Sequence, residues 1–485
     1  MNTYFLALLL YGTLLIVIGF IASRRVRTPS DFLVGGRRFG AGTLFATFLA
    51  ANIGAGSTVG ASGLGYRIGL SAWWWVGSAG IGTLILSQTV GPRLWRIAKE
   101  HELHTLGDYL ELRYSREVRG VIAVILWLGT LAILAGQIIA IAWILSVVIG
   151  LPKWAGCIAG GAVAITYCAA GGLASAAVVN MFELAVTMTG LVFSAVYVLH
   201  GFGGWQGLTS ALGALPNSSG VVRASWTGAG AKQILAYVSI LVPSFICSPG
   251  LIQKLYGARD EGAVRRGIAL NSAGQLLFAF VPAIFGMAAL VHFGKLANAE
   301  LALPSVMIHM VPRWLGIWAL AAIFSAELSA TDAILFMLST SLSVDLYQAF
   351  LNPGVSPKKL LGISRMTTVL AGIAGVGVAV VLPSIIAAVT IFYGLLAVAL
   401  FVPLLLGLYW KRMNTHAALA CIFVAIVANL IGQYTPLKNH LGILSPALVG
   451  ILTALLCGII VAWLVPAPLR SKLSGRLNGG AKESV

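Results

Sequence analysis

The sequence predicts an all-α, polytopic membrane protein of about thirteen transmembrane helices, arranged as a 5+5 inverted repeat in which helices 2 and 7 are discontinuous. Three observations carry that prediction. The composition is 59% hydrophobic and only 9% charged over 485 residues, with a mean hydropathy of +0.95, too oily for a surface that faces water. Apolar runs of the size needed to cross a bilayer, about 20 residues each, recur along nearly the whole chain. Two of those runs are interrupted by residues that break helices, and they stand five segments apart.

The runs fall at roughly 3–23, 42–66, 70–91, 119–149, 153–170, 174–200, 232–256, 264–293, 314–345, 361–382, 384–410, 415–434 and 442–466, numbered here as spans 1 to 13. Span 1 opens Met-Asn-Thr-Tyr-Phe without a positive leader and is followed by Arg24, Arg25 and Arg27. That is the reverse of a secretory signal peptide, so it reads as a retained helix. Span 2 carries Gly54, Gly56, Gly60, Gly63 and Gly65 just after Asn52, and span 7 places Pro243, Pro249 and Gly250 inside an apolar run. Each proline removes a backbone donor and clashes with the preceding turn. Backbone left unpaired at membrane depth survives only where protein or a watery cavity covers it, and there it offers carbonyls to cations and amides to polar ligands. Small-residue helix packing also accounts for the glycines of span 2. It does not account for Asn52, or for Ser248-Pro249-Gly250 in the matching position of span 7.

The matched breaks divide the chain. Residues 1–41 are expected to form an extra amino-terminal helix and cytoplasmic loop, 42–200 the first repeat (helices 2–6) and 201–231 an extracellular loop. Residues 232–410 then form the second repeat (helices 7–11), 411–466 the accessory helices 12 and 13, and 467–485 a cytoplasmic tail. With the amino terminus outside, the loops at 24–41, 92–118, 254–266, 346–365 and 411–414 and the tail from 467 are assigned to the cytoplasm, and with Arg119 at the edge they hold 24 of the 31 Lys and Arg residues. The positive-inside rule therefore supports a multi-pass protein of the cell membrane, an inner membrane where there are two, with its carboxyl terminus in the cytoplasm. The same asymmetry explains the net charge of +17 without nucleic acid. Cys157, Cys168, Cys247, Cys421 and Cys457 all fall within spans, spaced for neither metal nor disulfide. The seven histidines sit at segment ends or in loops, which argues against a membrane-embedded histidine metal site. Nucleotide-binding loops and catalytic serine elbows are missing, so an enzyme or an ATP-driven pump is not expected.

Span 9 is the other informative segment. Ser325, Ser329 and Asp332 recur at i, i+4 and i+7, so one face of an apolar helix carries two hydroxyls and a carboxylate. A carboxylate at mid-bilayer costs about 2.5–3.5 kcal/mol on insertion scales and normally meets a partner, a cavity or an ion. Asp332 is therefore an ion-site candidate, with a protonated interhelical hydrogen bonder as the alternative. Asn180 and Glu183 share a face of span 6 and could meet Asp332 across the interior; Glu183 reads equally as a structural hydrogen bonder. Glu327 lies nearly opposite the stripe at about 100° per residue. It reads as a packing contact or a substrate-side group, not a sodium ligand.

Four stretches together resemble the sodium:solute symporter family: LAANIGAGSTVGASGLGYRIGL in span 2, YCAAGGLASAAVVNMFEL entering span 6, SPGLIQKLYGARDEGAVRRG leaving span 7, and SAELSATDAILFMLSTSLSVDLYQ in span 9. The resemblance implies the leucine-transporter fold with an added amino-terminal helix, and a sodium ion held between the break of span 2 and span 9. Carried over by position, its ligands would be the carbonyls of Ala50, Ile53 and Ala326 and the hydroxyl of Ser329; a second hydroxyl usual in the family is replaced by Ala330. A second sodium site of some relatives would use the position of Asn180, where they have aspartate, and that of Asp332. The substrate pocket would involve Asn52, Ser57, Ser248 and Gln275, with Gln137 and Trp73 by location. Trp73 also reads as part of an interfacial aromatic belt. No Lys or Arg is expected at mid-membrane, so a substrate carboxylate would have to use helix amino-terminal amides.

The expectation is a secondary active symporter, sodium-coupled, carrying a small organic solute through the lipid bilayer without an organic cofactor. A proton-coupled or facilitative transporter of the same fold, and a transporter-like solute sensor, stay open as alternatives.

Overall fold

The computed structural model describes residues 3–23, 35–168, 173–215 and 223–465. All thirteen expected segments are helical, and among the described residues ten helices are long and apolar enough to cross a membrane. Strand structure among those residues is limited to one isolated bridge between Phe39 and Ala258.

Several boundaries differ from expectation. Span 3 continues past residue 91 to Glu100, through a π-helical turn at Leu86–Val90 and the helix Gly91–Glu100. Its basic extension is held by Arg93, which donates to the Leu408 carbonyl at 3.3 Å, and by the Arg96–Glu261 ion pair at 3.1 Å. Hydropathy ends a span where charge begins; the helix ends where its partners do. Span 8 starts at Glu261, because Asp260 caps it by accepting from Ala263 N–H at 2.7 Å. Three short helices, Leu106–Arg113, Gly204–Gly213 and Ala302–His309, occupy stretches read from sequence as connections.

The two repeats are visible in who packs against whom. Span 3 lies on span 7 as span 8 lies on span 2; span 4 lies on span 11 as span 9 lies on span 6; spans 5 and 10 pack on each other. The broken helices run antiparallel. Phe39 N–H donates to the Gly257 carbonyl at 2.9 Å and Arg259 N–H to the Phe39 carbonyl at 3.0 Å, joining the start of span 2 to the end of span 7. That inversion places the two breaks side by side.

Glycine makes the closest crossings possible. A Cβ on Gly286 of span 8 would lie 2.2 Å from the Ser62 carbonyl oxygen of span 2, and one on Gly82 of span 3 would lie 2.6 Å from the Val242 carbonyl oxygen of span 7. At both the obstacle is backbone, which cannot swing away. Gly286→Ala is expected to cost roughly 1–3 kcal/mol by overpacking and to lower the melting temperature in detergent. Gly42→Ala, whose Cβ would meet nothing within 4 Å, should leave it unchanged.

Candidate functional site

Span 2 consists of two half-helices, Ala41–Asn52 and Val59–Ile68. Between them Ile53 turns extended, at φ −98° and ψ 95°, and the amide groups that follow are redirected. Gly54 N–H donates to Ser57 Oγ at 3.0 Å, Ala55 N–H to Gln137 Oε1 at 2.8 Å, and Ser57 N–H to the Gly54 carbonyl at 2.9 Å. In an unbroken helix those three donors would serve the carbonyls of Ala50, Ala51 and Ile53. The break thus frees peptide oxygens at the end of the first half-helix, where the helix dipole is negative. Gly54 is pressed so closely that a Cβ there would lie 2.5 Å from Ala330 Cβ and 2.7 Å from Gln137 Oε1, which sets the break against span 9.

Span 9 runs unbroken from Arg313 to Thr340 before a π-helical end at Ser341–Leu351. Ser325, Ser329 and Asp332 are buried in the protein, not turned toward lipid. Ser325 is tied to its neighbours: it accepts from the Tyr11 hydroxyl at 2.9 Å and donates to the Glu183 carbonyl at 3.3 Å. The Asn180 side chain lies outside the described residues. Glu183 is fully buried, and both its charge and that of Asp332 act on Lys254.

Lys254 was assigned from sequence to a cytoplasmic loop, because a charge there ends the apolar run. The helix Pro249–Tyr256, restarted by Pro249 after the break at Ser248, carries it inside instead. Its Nζ donates to the Thr47 carbonyl at 2.8 Å, and the residue is 4% exposed. The expectation that no Lys or Arg stands near the substrate pocket at mid-membrane is corrected to this extent: Lys254 is among the residues lining the cavity.

Glu327 faces the break. Its Oε1 accepts from the Thr58 hydroxyl at 2.7 Å, and its buried Oε2 has no hydrogen-bond partner. Thr58 immediately precedes the second half-helix, so this carboxylate lies at that helix's positive end.

Asn52, Ser57, Ser248, Gln275 and Gln137 line one cavity between the two breaks. Trp73 is not among its walls: its indole N–H donates to the Leu276 carbonyl at 3.1 Å, and its ring packs on Trp226 with centroids 4.7 Å apart. Trp75 takes the wall position, because two residues turn a helix by about 200°, and its N–H donates to the Gly56 carbonyl at 2.9 Å. Phe245, Phe392 and Tyr393 complete an aromatic wall that sequence patterning did not single out.

Beyond the cavity, two buried charged groups fasten neighbouring elements together. Met337 separates it from a smaller cavity that reaches Arg119 and Asp345. There Arg119 Nη2 lies 2.7 Å from Asp345 and 2.9 Å from Asp108, Nη1 lies 2.9 Å from Glu111, and Thr105 donates to Asp345 at 2.7 Å. The short helix Leu106–Arg113, span 4 and the end of span 9 are thereby tied together. Elsewhere Glu300, in the connection between spans 8 and 9, accepts from Trp143 Nε1 at 2.9 Å and from Ile385 N–H at 2.8 Å. It locks that connection onto spans 4 and 11, and burial raises its pKa above the usual carboxylate value.

Peptide carbonyls and a serine hydroxyl are hard, uncharged oxygen donors suited to an alkali cation, and the freed carbonyls on span 2 and the buried Ser329 meet that requirement. Among the described residues no three His, Cys, Asp or Glu side chains come together to hold a metal ion.

A family model described as the sodium:solute symporter family matches residues 32–425. The chain is 23% identical to a sodium/glucose cotransporter of Vibrio parahaemolyticus, covering 88% of this chain and 84% of that one. It is 27% identical to the sodium/pantothenate symporter of Escherichia coli, covering 88% and 91%. It is 23% identical to the sodium/proline symporter of E. coli, covering 86% and 85%. In three dimensions it is similar to a Na+-coupled sialic acid symporter in a substrate-bound, outward-open state, with a TM-score of 0.80 at 20% identity over 96% of this chain and 99% of that one. The fold likeness extends to MhsT in complex with L-phenylalanine, at a TM-score of 0.51.

Removing Arg119 would leave Asp345 buried without its charge partner. Arg119→Ala is expected to cost about 3–5 kcal/mol, read as a lower melting temperature in detergent. The double variant Arg119→Ala/Asp345→Ala should recover part of the loss, because the stranded carboxylate is gone.

Proposed function

The chain belongs to the sodium:solute symporter family, and from that premise we propose that it moves a small organic solute into the cell together with sodium, by alternating access. The single observation that carries this reading is the set of redirected amides at Gly54, Ala55 and Ser57, which leaves carbonyls of span 2 free beside span 9. Ala50, Ile53, Ala326 and Ser329 are the proposed ligands of the co-transported sodium ion, with Asp332 and Asn180 at a second, adjoining position. Ala330 in place of a hydroxyl weakens the first site and keeps a proton-coupled variant in play. The related cotransporters of glucose, pantothenate and proline named above support sodium as the partner ion.

The proposed cycle follows from the geometry. Sodium held between span 2 of one half and span 9 of the other stabilises the arrangement in which those elements are close. Solute then binds at Asn52, Ser57, Ser248, Gln275 and Gln137. In this reading, release on the far side parts the Arg119–Asp345–Thr105 cluster, which lines the smaller cavity beyond Met337. We place that cluster on the cytoplasmic side, with the amino terminus outside, the extra helix of residues 1–41 flanking the repeats and helices 12 and 13 as accessories; the distribution of Lys and Arg supports this. One charge crossing 100 mV contributes about 2.3 kcal/mol and a tenfold ion gradient about 1.4 kcal/mol, enough for a solute gradient of roughly 500-fold per ion.

Uptake into proteoliposomes under an imposed sodium gradient, compared with an imposed proton gradient, tests the assignment. Ser329→Ala is expected to raise the sodium concentration for half-maximal uptake about tenfold, the equivalent of about 1.4 kcal/mol, and Asp332→Asn to change the number of ions coupled. Identical ion dependence in the parent and both variants would remove this site from consideration.

A further inference from the structure

The cavity between the breaks has two places where a charged solute would ordinarily be held, and the chain occupies both. One is the amide end of the half-helix Val59–Ile68, a natural seat for a carboxylate. There Gln137 Oε1 already takes the Ala55 N–H at 2.8 Å, and the Glu327 carboxylate takes the Thr58 hydroxyl at 2.7 Å. A second carboxylate at that spot would find these donors already taken. The other place is the Lys254 ammonium. It is committed to the Thr47 carbonyl at 2.8 Å and lies under the charges of Asp332 and Glu183.

The polar atoms left without partners in this part of the molecule are uncharged. Gln275 lines the cavity and is 1% exposed, and neither its Oε1 nor its Nε2 has a hydrogen-bond partner. One turn earlier on the same face of span 8, Asn271 accepts from Asn52 Nδ2 at 3.2 Å and leaves its own Nδ2 unpartnered and buried. Gln275 thus presents a vacant acceptor and a vacant donor to the cavity, and Asn271, which is not among its walls, holds a further vacant donor one turn away. Buried polar groups left unmade are costly, so a ligand that satisfies them gains more than its contact alone. Opposite them the wall is aromatic, with Trp75, Phe245, Phe392 and Tyr393, the last two rings 5.3 Å apart between centroids.

We infer that the transported solute is uncharged: an apolar or ring-shaped body bearing a hydrogen-bond donor and an acceptor side by side, read by Gln275, and not a carboxylate or a zwitterion. The inference rests on the symport reading and names the substrate class for the same cavity. A site built from paired donors and acceptors rejects solutes that leave them unmatched far more strongly than an apolar pocket rejects a change of size.

Proteoliposomes under a sodium gradient are offered the small-molecule fraction of yeast extract, which holds neutral and carboxylated solutes together, and their contents are read by mass spectrometry. Only uncharged solutes should accumulate. Gln275→Ala should raise the half-saturating concentration of the accumulated solute at least tenfold. Gln275→Asn should recover part of that loss, which a merely structural defect would not do. Accumulation of a carboxylated or zwitterionic solute overturns the inference while leaving symport intact. So does an unchanged half-saturating concentration in properly folded Gln275→Ala. If nothing accumulates, the symport reading falls and takes this inference with it.

Discussion

A peptide group inside a bilayer has nowhere to hydrogen-bond except to its own protein, and a helix satisfies that demand by default. Span 2 departs from the default over residues 53–58, and much of the interior is arranged around the departure. The displaced amides find Ser57 and Gln137, so the donors are met by side chains of the break itself and of span 4. The carbonyls they abandon have no such replacement in those bonds, and their unused capacity is what a cation can exploit. Gly54 is the hinge of the arrangement, because a methyl group there would collide with both Gln137 and Ala330.

The inverted repeat turns this local feature into a device that spans the molecule. Span 2 belongs to one half and span 9 to the other, so anything held between them also holds the halves together. Outside the central cavity, Arg119 with Asp345 and Glu300 with Trp143 fasten different elements. Buried ion pairs are weak sources of net stability but costly to disrupt halfway. That combination suits a gate that must be either made or fully opened. The cavity draws its polar groups from spans 2, 4, 7 and 8, so moving those spans alters the solute's surroundings directly.

Much of this was legible in the sequence. Hydropathy found all thirteen segments, and the placement of Gly54 and of Ser248-Pro249-Gly250 located both breaks, because helix-breaking residues in an apolar run have few other uses. The burial of Ser325, Ser329 and Asp332 was also readable, since three polar residues at helical spacing must avoid lipid together. Three things were hidden. Lys254 looked like the start of a loop, because hydropathy is blind to a side chain carried inward by a restarted helix. Trp73 and Trp75 could not be told apart, since their difference is a rotation set by tertiary packing. Glu327 lies opposite the hydroxyl stripe by helical phase, yet it reaches the break through Thr58, a contact that depends on where span 2 stops being a helix.

The most direct measurement is a pair of high-resolution density maps of the purified protein, one in sodium salt and one with sodium replaced by a large organic cation. The account expects a compact density enclosed by the Ala50, Ile53 and Ala326 carbonyls and the Ser329 hydroxyl in sodium, and its loss on replacement. Span 2 wound without interruption, Ser329 directed at lipid, or identical density in both salts would contradict it.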